Sequence, residues 1–338
     1  MHHFIRTFWL TGAVTAAFLV LVLHLGWSRL YSQMPARPAL AALGDWGDSY
    51  VSDYPPIGPV DFYMLRYGIF GVGERLRRAD VVIVGSSHPQ VGLSAAQLSQ
   101  ELSTVRGKPV GVYNAGLGYG EGIEFTEHIM EGNRLENKVL IYDLFALRQG
   151  GIGEYGTIVE HNGVLGGYLK TLDAWLRAYN DWFLDPLLPR FHPQAGQSLR
   201  DAASPVRFLN NWISRLWSTG DIKEIWASKY GYAFGNPAAQ LGKPFTTENV
   251  YHLKADGETR LDVAALDFFR QRTLSPIYTL VPFDGDQLIL VSPEARPYIP
   301  ISNQDVLFFD KMHVTAPSRQ IVTQRLLDEL TKLPPFQK

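Results

Sequence analysis

Cysteine is absent from the 338 residues of the chain, which excludes disulfide bonds, thiolate metal sites and a cysteine nucleophile. An excess of charge of either sign is also missing, because 31 Lys and Arg residues face 33 Asp and Glu residues. No basic stripe breaks this balance, so nucleic acid is not an expected partner. The nine histidines show no H-x-H or H-x-x-x-H pairing, and no metal site is expected.

One stretch near the N-terminus lacks Asp, Glu, Lys and Arg. It runs over residues 7–27 (TFWLTGAVTAAFLVLVLHLGW), and as a helix it would span roughly 32 Å, close to the hydrocarbon core of a bilayer. Trp9 and Trp27 lie near its ends, as in aromatic belts. We therefore expect residues 1–30 to anchor the chain in the inner membrane. Arg6 favours a cytoplasmic N-terminus and a periplasmic soluble domain. The alternative is a signal peptide, whose apolar region would run only about 7–15 residues.

Beyond the anchor, the composition changes twice. Residues 31–77 are rich in proline, glycine and small side chains in their first half and are predicted to be a linker and lead-in. A domain is expected over residues 78–338, interrupted at about 150–261 by a segment that holds five of the eight tryptophans. This segment is predicted to be a helical insertion, with helices such as 166–184 and 204–218. Its tryptophans are expected to be core anchors, with stacking on sugar rings as the alternative.

Outside the insertion, short apolar runs alternate with helical patterns. Strands are expected at 80–84, 110–113, 138–143, 276–281 and 305–309, and helices are expected to begin near 94, 123, 262 and 316. This alternation predicts an α/β domain with a parallel sheet and flanking helices. In such a sheet, ligands bind at the carboxyl ends of the strands.

Polar motifs follow three of these strands. Gly85-Ser86-Ser87-His88 follows the strand at 80–84, a glycine-rich loop at 114–122 follows the strand at 110–113, and Asp310-Lys311-Met312-His313 follows the strand at 305–309. A serine hydroxyl becomes a good nucleophile only when a base takes its proton, and a carboxylate must orient that base. The sequence therefore predicts a Ser-His-Asp site at this edge of the sheet.

These three motifs resemble those of the SGNH (GDSL-type) serine hydrolases. The matching segments are IVGSSHPQVGL (83–93), VYNAGLGYG (112–120) and FFDKMHVTAPSRQIVTQRLLDEL (308–330). The resemblance implies that Ser87 is the nucleophile, His313 the base and Asp310 its orienting acid, with no cofactor. It is nearest to the membrane-associated branch linked to acyl transfer on cell-surface polymers, as in alginate O-acetylation and D-alanine transfer proteins.

The resemblance also implies an oxyanion site in the loop that begins at Asn114. The family's oxyanion glycine usually lies five residues after this Asn, where the chain has Tyr119. Gly118 and Gly120 flank that position, so a small shift of the loop would let either one supply a backbone N–H.

A second departure concerns the third strand end. There the family carries an Asn whose amide also binds the oxyanion, whereas this chain has Asp143. One lost donor of this kind costs about 10²–10³ in turnover. Either another side chain, such as Asn162, replaces it, or activity is weak or lost.

The expected function is therefore acyl-ester hydrolysis or transfer on an envelope or exported polysaccharide. A membrane-bound acyltransferase or a secretion complex is a further candidate partner. The alternative is a non-catalytic SGNH-like scaffold or glycan-binding subunit. Two other interpretations fit less well. The G-x-S-x-G elbow of an α/β-hydrolase fails because Pro89 replaces its last glycine, and the G-x-G-x-x-G loop of a dinucleotide-binding site fails because Glu121 replaces its last glycine. His88 is expected to be a loop residue rather than a second base.

Overall fold

The described residues belong to one structural unit. The computed structural model describes residues 49–53, 60–118, 123–144, 152–184, 211–227, 231–232, 240–241, 250–252, 268–269, 271–283, 289–291, 297–310 and 313–337. The chain divides into units Met1–Gly44 and Asp45–Lys338, and all of these residues lie in the second. The predicted anchor at 7–27 therefore lies outside the described residues. Within the described ranges, no helix is both long and apolar enough to cross a membrane.

Strands and helices alternate along much of this unit. The strands are β1 (Ser49–Asp53), β2 (Val81–Val84), β3 (Val112–Asn114), β4 (Val139–Asp143), β5 (Asn211–Leu216), β6 (Ile222–Ala227), β7 (Gly231–Tyr232), β8 (Gln240–Leu241), β9 (Val250–His252), β10 (Ser275–Leu280), β11 (Ile289–Val291), β12 (Tyr298–Pro300) and β13 (Leu307–Phe308). The α-helices are α1 (Val60–Tyr67), α2 (Val72–Arg78), α3 (Ser87–Gly92), α4 (Ala95–Arg106), α5 (Ile123–Gly132), α6 (Glu154–Leu184) and α7 (Ala316–Leu330). Two 3₁₀ turns cover Ile69–Gly71 and Pro334–Phe336.

A parallel sheet of five strands forms the centre. Its order is β12-β10-β4-β2-β3, and every neighbouring pair is parallel. Ranked by their order along the chain and read from the β3 edge, the strands follow the doubly wound order 2-1-3-4-5. The predicted α/β fold with a parallel sheet is thus confirmed. The switch point of this order lies between β2 and β4, where a ligand site is expected.

Both faces of the sheet are covered, which explains why β2 is apolar throughout. Side chains alternate across a strand, so Val82 and Val84 pack into the cluster on one face with the apolar side chains of α1, α2 and α5. Val81 and Ile83 pack on the other face with those of α4 and α7. All four side chains are buried. Strand β2 therefore holds the residues that follow it at a fixed position over the sheet.

A helix within the predicted lead-in packs into the core. Helix α1 lies in the segment that was predicted to be linker and lead-in (31–77), yet its side chains Phe62, Met64 and Leu65 are fully buried. They belong to the apolar cluster that covers one face of the sheet. The second half of the segment predicted to be linker and lead-in therefore supplies core residues.

The insertion is not purely helical. Helix α6 contains the predicted helix at 166–184, but the predicted helix at 204–218 is wrong, because β5 occupies residues 211–216. Strand β5 pairs antiparallel with both β1 and β6. Ile213 and Arg215 point to the same face of β5, a spacing of two that a search for helical periodicity misses. The tight turn after β5 ends at Gly220, whose φ is +70°.

The last predicted strand also differs from the observed one. Strand β13 covers only two residues of the predicted 305–309 and pairs antiparallel with β8 rather than with the parallel sheet. The fifth parallel strand is β12, which no prediction included. Pro300 ends β12, and its three residues are too short to give a periodic signal.

Candidate active site

The sharp turn that presents Ser87 begins at a glycine. Gly85 has a φ of +137°, and a Cβ there would lie 2.8 Å from the Cβ of Asp143. Only glycine fits both the backbone conformation and the space. Ser86 then caps α3 by accepting a hydrogen bond from the backbone N–H of His88, and Ser87 is the first residue of the helix. The chain thus turns directly from the buried end of β2 to a partly exposed Ser87.

The structure brings Ser87, His313 and Asp310 into one hydrogen-bonded chain. The Oγ of Ser87 lies 2.9 Å from Nε2 of His313. The Nδ1 of His313 lies 2.9 Å from Oδ2 of Asp310 and 3.2 Å from its Oδ1. The side chains of His313 and Asp310 are 22% and 26% exposed, so a substrate can reach them. This is the nucleophile, base and acid arrangement of a serine hydrolase.

A short antiparallel turn fixes the spacing of the acid and the base. The N–H of Phe309 donates to the carbonyl of His313, and the N–H of Thr315 donates to the carbonyl of Leu307. Within the turn, the backbone N–H of His313 donates to Oδ1 of Asp310 at 2.7 Å. Phe309 stacks on the imidazole of His313, with ring centroids 5.7 Å apart and planes 15° apart. The turn and the stacked ring hold the imidazole towards Ser87.

Beneath this chain lies a second polar group, made of Ser86, His88 and Asp143, which is almost completely buried. The hydroxyl of Ser86 donates to Oδ2 of Asp143 at 3.1 Å and faces Nδ1 of His88 at 3.1 Å. The backbone N–H of Val281 donates to Oδ1 of Asp143 at 3.1 Å. Both carboxylate oxygens of Asp143 therefore receive a hydrogen bond from the surrounding protein.

Asn114 uses its side-chain amide to join two segments of the backbone. It is fully buried, and its Nδ2 donates to the carbonyls of Pro89 and Leu93 at 3.0 and 3.1 Å. Its Oδ1 accepts from the backbone N–H of Gly116 at 3.0 Å. These bonds tie the end of β3 to helix α3. The prediction of Asn114 as an oxyanion or substrate ligand finds no support in this orientation.

Of the two predicted oxyanion glycines, one is described. A Cβ on Gly118 would lie 3.8 Å from Oε1 of Gln90, so the loop passes over α3 one turn beyond Ser87. Gly120 and the adjacent Tyr119 lie outside the described residues. The alternative donor Asn162 uses its amide elsewhere, donating to the hydroxyl of Tyr63 at 2.7 Å.

Sequence reasoning missed three buried residues that are linked to one another beside this loop: Asp61, Gln90 and Arg215. Each is at most 1% exposed, and together they form one hydrogen-bonded network with the backbone after β3. No motif marks them, since they come from three distant segments and bind partly to backbone carbonyls. The signal in the sequence is weak: Arg215 is a charged residue two positions after Ile213 in the short run NWISRL (211–216).

Among the described residues, no group of three or more His, Asp or Glu side chains is placed to hold a metal ion. No family model matches the chain, and no curated protein or solved structure matches it.

Proposed function

We propose that the chain is a serine esterase or O-acyltransferase of the SGNH type that acts on an envelope or exported polysaccharide. The observation that carries the proposal is the contact of 2.9 Å between Ser87 Oγ and His313 Nε2, with Asp310 on the far nitrogen of the imidazole. The position of the group supports it too, because Ser87 follows β2 beside the switch point of the sheet.

In this mechanism His313 takes the hydroxyl proton of Ser87 while Oγ attacks the carbonyl carbon of the acyl ester. The carbonyl oxygen becomes an oxyanion, and backbone N–H groups at Ser87 and in the loop at Gly118 stabilise it. The N–H of Ser87 suits this role because the first residues of a helix have no acceptor within that helix. The C–O bond then breaks, and His313 returns its proton to the leaving alcohol.

The second half-reaction reverses the first with a different alcohol. His313 takes a proton from water or from a sugar hydroxyl, and the resulting oxygen nucleophile attacks the acyl-enzyme. Ser87 leaves and recovers its proton from His313. Water gives an esterase, whereas a sugar hydroxyl gives an O-acyltransferase. Asp310 keeps Nδ1 of His313 protonated throughout, so Nε2 is available to Ser87.

The polysaccharide, the location and the partners rest on the sequence. The resemblance is nearest to proteins of polymer acylation, and the apolar stretch at 7–27 would hold the domain at the periplasmic face of the inner membrane. A membrane-bound acyltransferase or a secretion complex would then be within reach as the acyl donor or the source of polymer. No cofactor takes part in the proposed chemistry.

A non-catalytic scaffold or glycan-binding subunit is the second candidate, and Asp143 is the observation that favours it. The residue at this strand end supplies no amide, and both of its oxygens are engaged by Ser86 and Val281. A chain that no longer catalyses acyl transfer would tolerate this loss. The hydrogen-bonded Ser87-His313-Asp310 chain favours the enzyme, because a scaffold has no need of it.

Labelling with a fluorophosphonate probe separates the two candidates. The probe should label the full-length wild-type protein at Ser87, and Ser87→Ala should abolish the labelling. Ser86→Ala is the matched control, since Ser86 bonds to Asp143 and not to His313 and its loss should leave labelling detectable. A folded wild-type protein that never reacts would favour the scaffold. Labelling that survives Ser87→Ala would place the nucleophile elsewhere.

A further inference from the structure

A buried carboxylate links the helix that carries Ser87 to the insertion. Asp61 lies on α1 and is 1% exposed. Its Oδ2 accepts from Nε2 of Gln90 at 3.1 Å and from Nη1 of Arg215 at 2.6 Å. Gln90 lies on α3, three residues after Ser87, and Arg215 lies on β5. One oxygen atom therefore joins three separate segments of the chain.

The guanidinium of Arg215 continues this link into the loop after β3. Its Nη1 donates to the carbonyl of Gly116 at 3.0 Å, and its Nη2 donates to the carbonyl of Asn114. Its Nε donates to the carbonyl of Gly220 at 2.7 Å, which fixes the side chain to its own hairpin turn. The planar fork of donors thus holds the loop that leads to Gly118.

The loop also presses directly on α3. A Cβ on Gly116 would lie 2.7 Å from the backbone nitrogen of Gln90, so the two backbones touch where no side chain fits between them. In the proposed mechanism, backbone N–H groups at the start of α3 and in the loop at Gly118 bind the oxyanion that forms on the ester carbonyl. Contact at Gly116 and the link through Asp61 set the distance between these two places.

Burying the ion pair of Asp61 and Arg215 costs hydration free energy, so the pair is not explained by stability alone. Burial raises the pKa of Asp61, and the guanidinium of Arg215 opposes that rise. A buried ion pair of this kind is often no more stabilising than apolar residues of the same volume, because both charges lose their hydration. Its distinctive property is geometric, since Arg215 and Asp61 specify where three backbone carbonyls and one helix lie.

We propose that Asp61, Gln90 and Arg215 are positioning residues that hold the two halves of the oxyanion site at a fixed separation. The inference rests on the proposed function, and it assigns part of the insertion to the acyl-transfer site. None of the three residues touches the reacting atoms in this role. A shift of about 1 Å in a group that stabilises the transition state can lower turnover about 10²-fold, and loss of one oxyanion donor costs about 10²–10³.

Two variants of the full-length protein test the proposal while leaving no buried charge unpaired. Arg215→Lys keeps a positive charge opposite Asp61 but cannot donate to the loop carbonyls as a fork. Gln90→Met keeps the length of the side chain but removes the amide that donates to Asp61. Exhaustive fluorophosphonate labelling counts the intact sites, and turnover of p-nitrophenyl acetate is then expressed per labelled site. We expect kcat per labelled site to fall about tenfold to 100-fold, with KM changed less than about threefold.

The control and the pH profile separate positioning from ordinary destabilisation. Glu160→Gln alters a bidentate contact with Arg66 that takes no part in the network, and its kcat per labelled site should equal that of the wild type. The pH profile of kcat/KM should keep its shape in all variants, because none of the substitutions alters Ser87, His313 or Asp310. If Arg215→Lys does not fold, Gln90→Met decides alone. Wild-type kcat per site in Gln90→Met would overturn the positioning role while leaving the enzyme proposal intact. No Ser87-dependent turnover in the wild type would overturn both.

Discussion

Substitution of Asp143 by Asn tests whether the site needs the amide that the SGNH motif, which this sequence resembles, carries at this strand end. The carboxylate is completely buried, and it accepts one hydrogen bond from Ser86 and one from the backbone of Val281, both at 3.1 Å. An Asn side chain has one acceptor oxygen and one NH₂ group, so it can accept only one of these two bonds. Its best placement keeps the oxygen at Val281 and turns the NH₂ group to the oxygen of Ser86.

The expected loss of stability in Asp143→Asn follows from this change of hydrogen bonds. The bond from Val281 loses its charged acceptor, and the Ser86 hydroxyl must turn its proton towards Nδ1 of His88, which then has to be an acceptor. Weakening a hydrogen bond to a charged group costs about 1–2 kcal/mol. For a unit of this size, each kcal/mol lowers Tm by about 2–4 °C. Because the new amide points at Ser86 rather than at the Oγ of Ser87, we expect kcat on p-nitrophenyl acetate to change less than about threefold.

Thermal unfolding and kcat per labelled site, measured on the same preparation of Asp143→Asn, check the expectation. Asp143→Ala is the comparison variant, and it should lose more stability because it leaves the buried N–H of Val281 without its acceptor. A rise in kcat of about tenfold or more would refute the reasoning, because the amide would then reach the oxyanion. A large loss of kcat in a folded protein would also refute it, and would mean that Asp143 takes part in the chemistry.

Two further predictions concern stability. Asp221→Ala removes the carboxylate that accepts from the N–H groups of Ala95 and Ala96 at 2.6 and 2.8 Å; we expect a loss of about 1–3 kcal/mol in thermal unfolding, and an unchanged Tm would contradict the capping role. Hydrogen bonds from Arg66 and His128 outweigh burial and lower the pKa of Glu160 below its ordinary value of 4.5. The stability that Glu160 adds should be present above about pH 4.5 and vanish as pH falls through the lowered pKa, so the Tm difference between wild type and Glu160→Gln should close in acid. A difference that widens in acid would contradict this assignment.

The chain of contacts among Ser87, His313 and Asp310 was within reach of sequence reasoning for a geometric reason. Each motif comes after a short apolar run of the sequence, and in a parallel sheet the loops that follow such strands gather at one edge. The motif holding Asp310 and His313 was found even though β13 does not belong to the parallel sheet. Backbone hydrogen bonds from Phe309 and Thr315 close the short turn of this motif. The turn therefore holds Asp310 and His313 beside Ser87, as a strand of the parallel sheet would do.

The network of Asp61, Gln90 and Arg215 could not be predicted from the sequence, and the reason is again physical. Arg215 donates three of its bonds to backbone carbonyls, which leave no trace in the identity of the accepting residues. Its ion-pair partner Asp61 precedes it by 154 positions and lies in the segment predicted to be linker and lead-in. The predicted helix at 204–218 also groups Arg215 with the wrong side chains. Residues that share a face recur every two positions on a strand but every 3.6 positions on a helix.

The hairpin of β5 and β6 changes how the insertion should be regarded. Its turn contacts the end of β3, where the N–H of Asn114 donates to the carbonyl of Thr219 at 2.7 Å, and a Cβ on Gly220 would lie only 2.2 Å from the carbonyl oxygen of Asn114. The next residue, Asp221, caps α4 across 126 positions of sequence. An insertion that only covered the site from outside would not be expected to form hydrogen bonds with the backbone of the central sheet. Because the hairpin supplies both Arg215 and the cap of α4, the α/β core and its candidate site depend on the insertion for their own geometry.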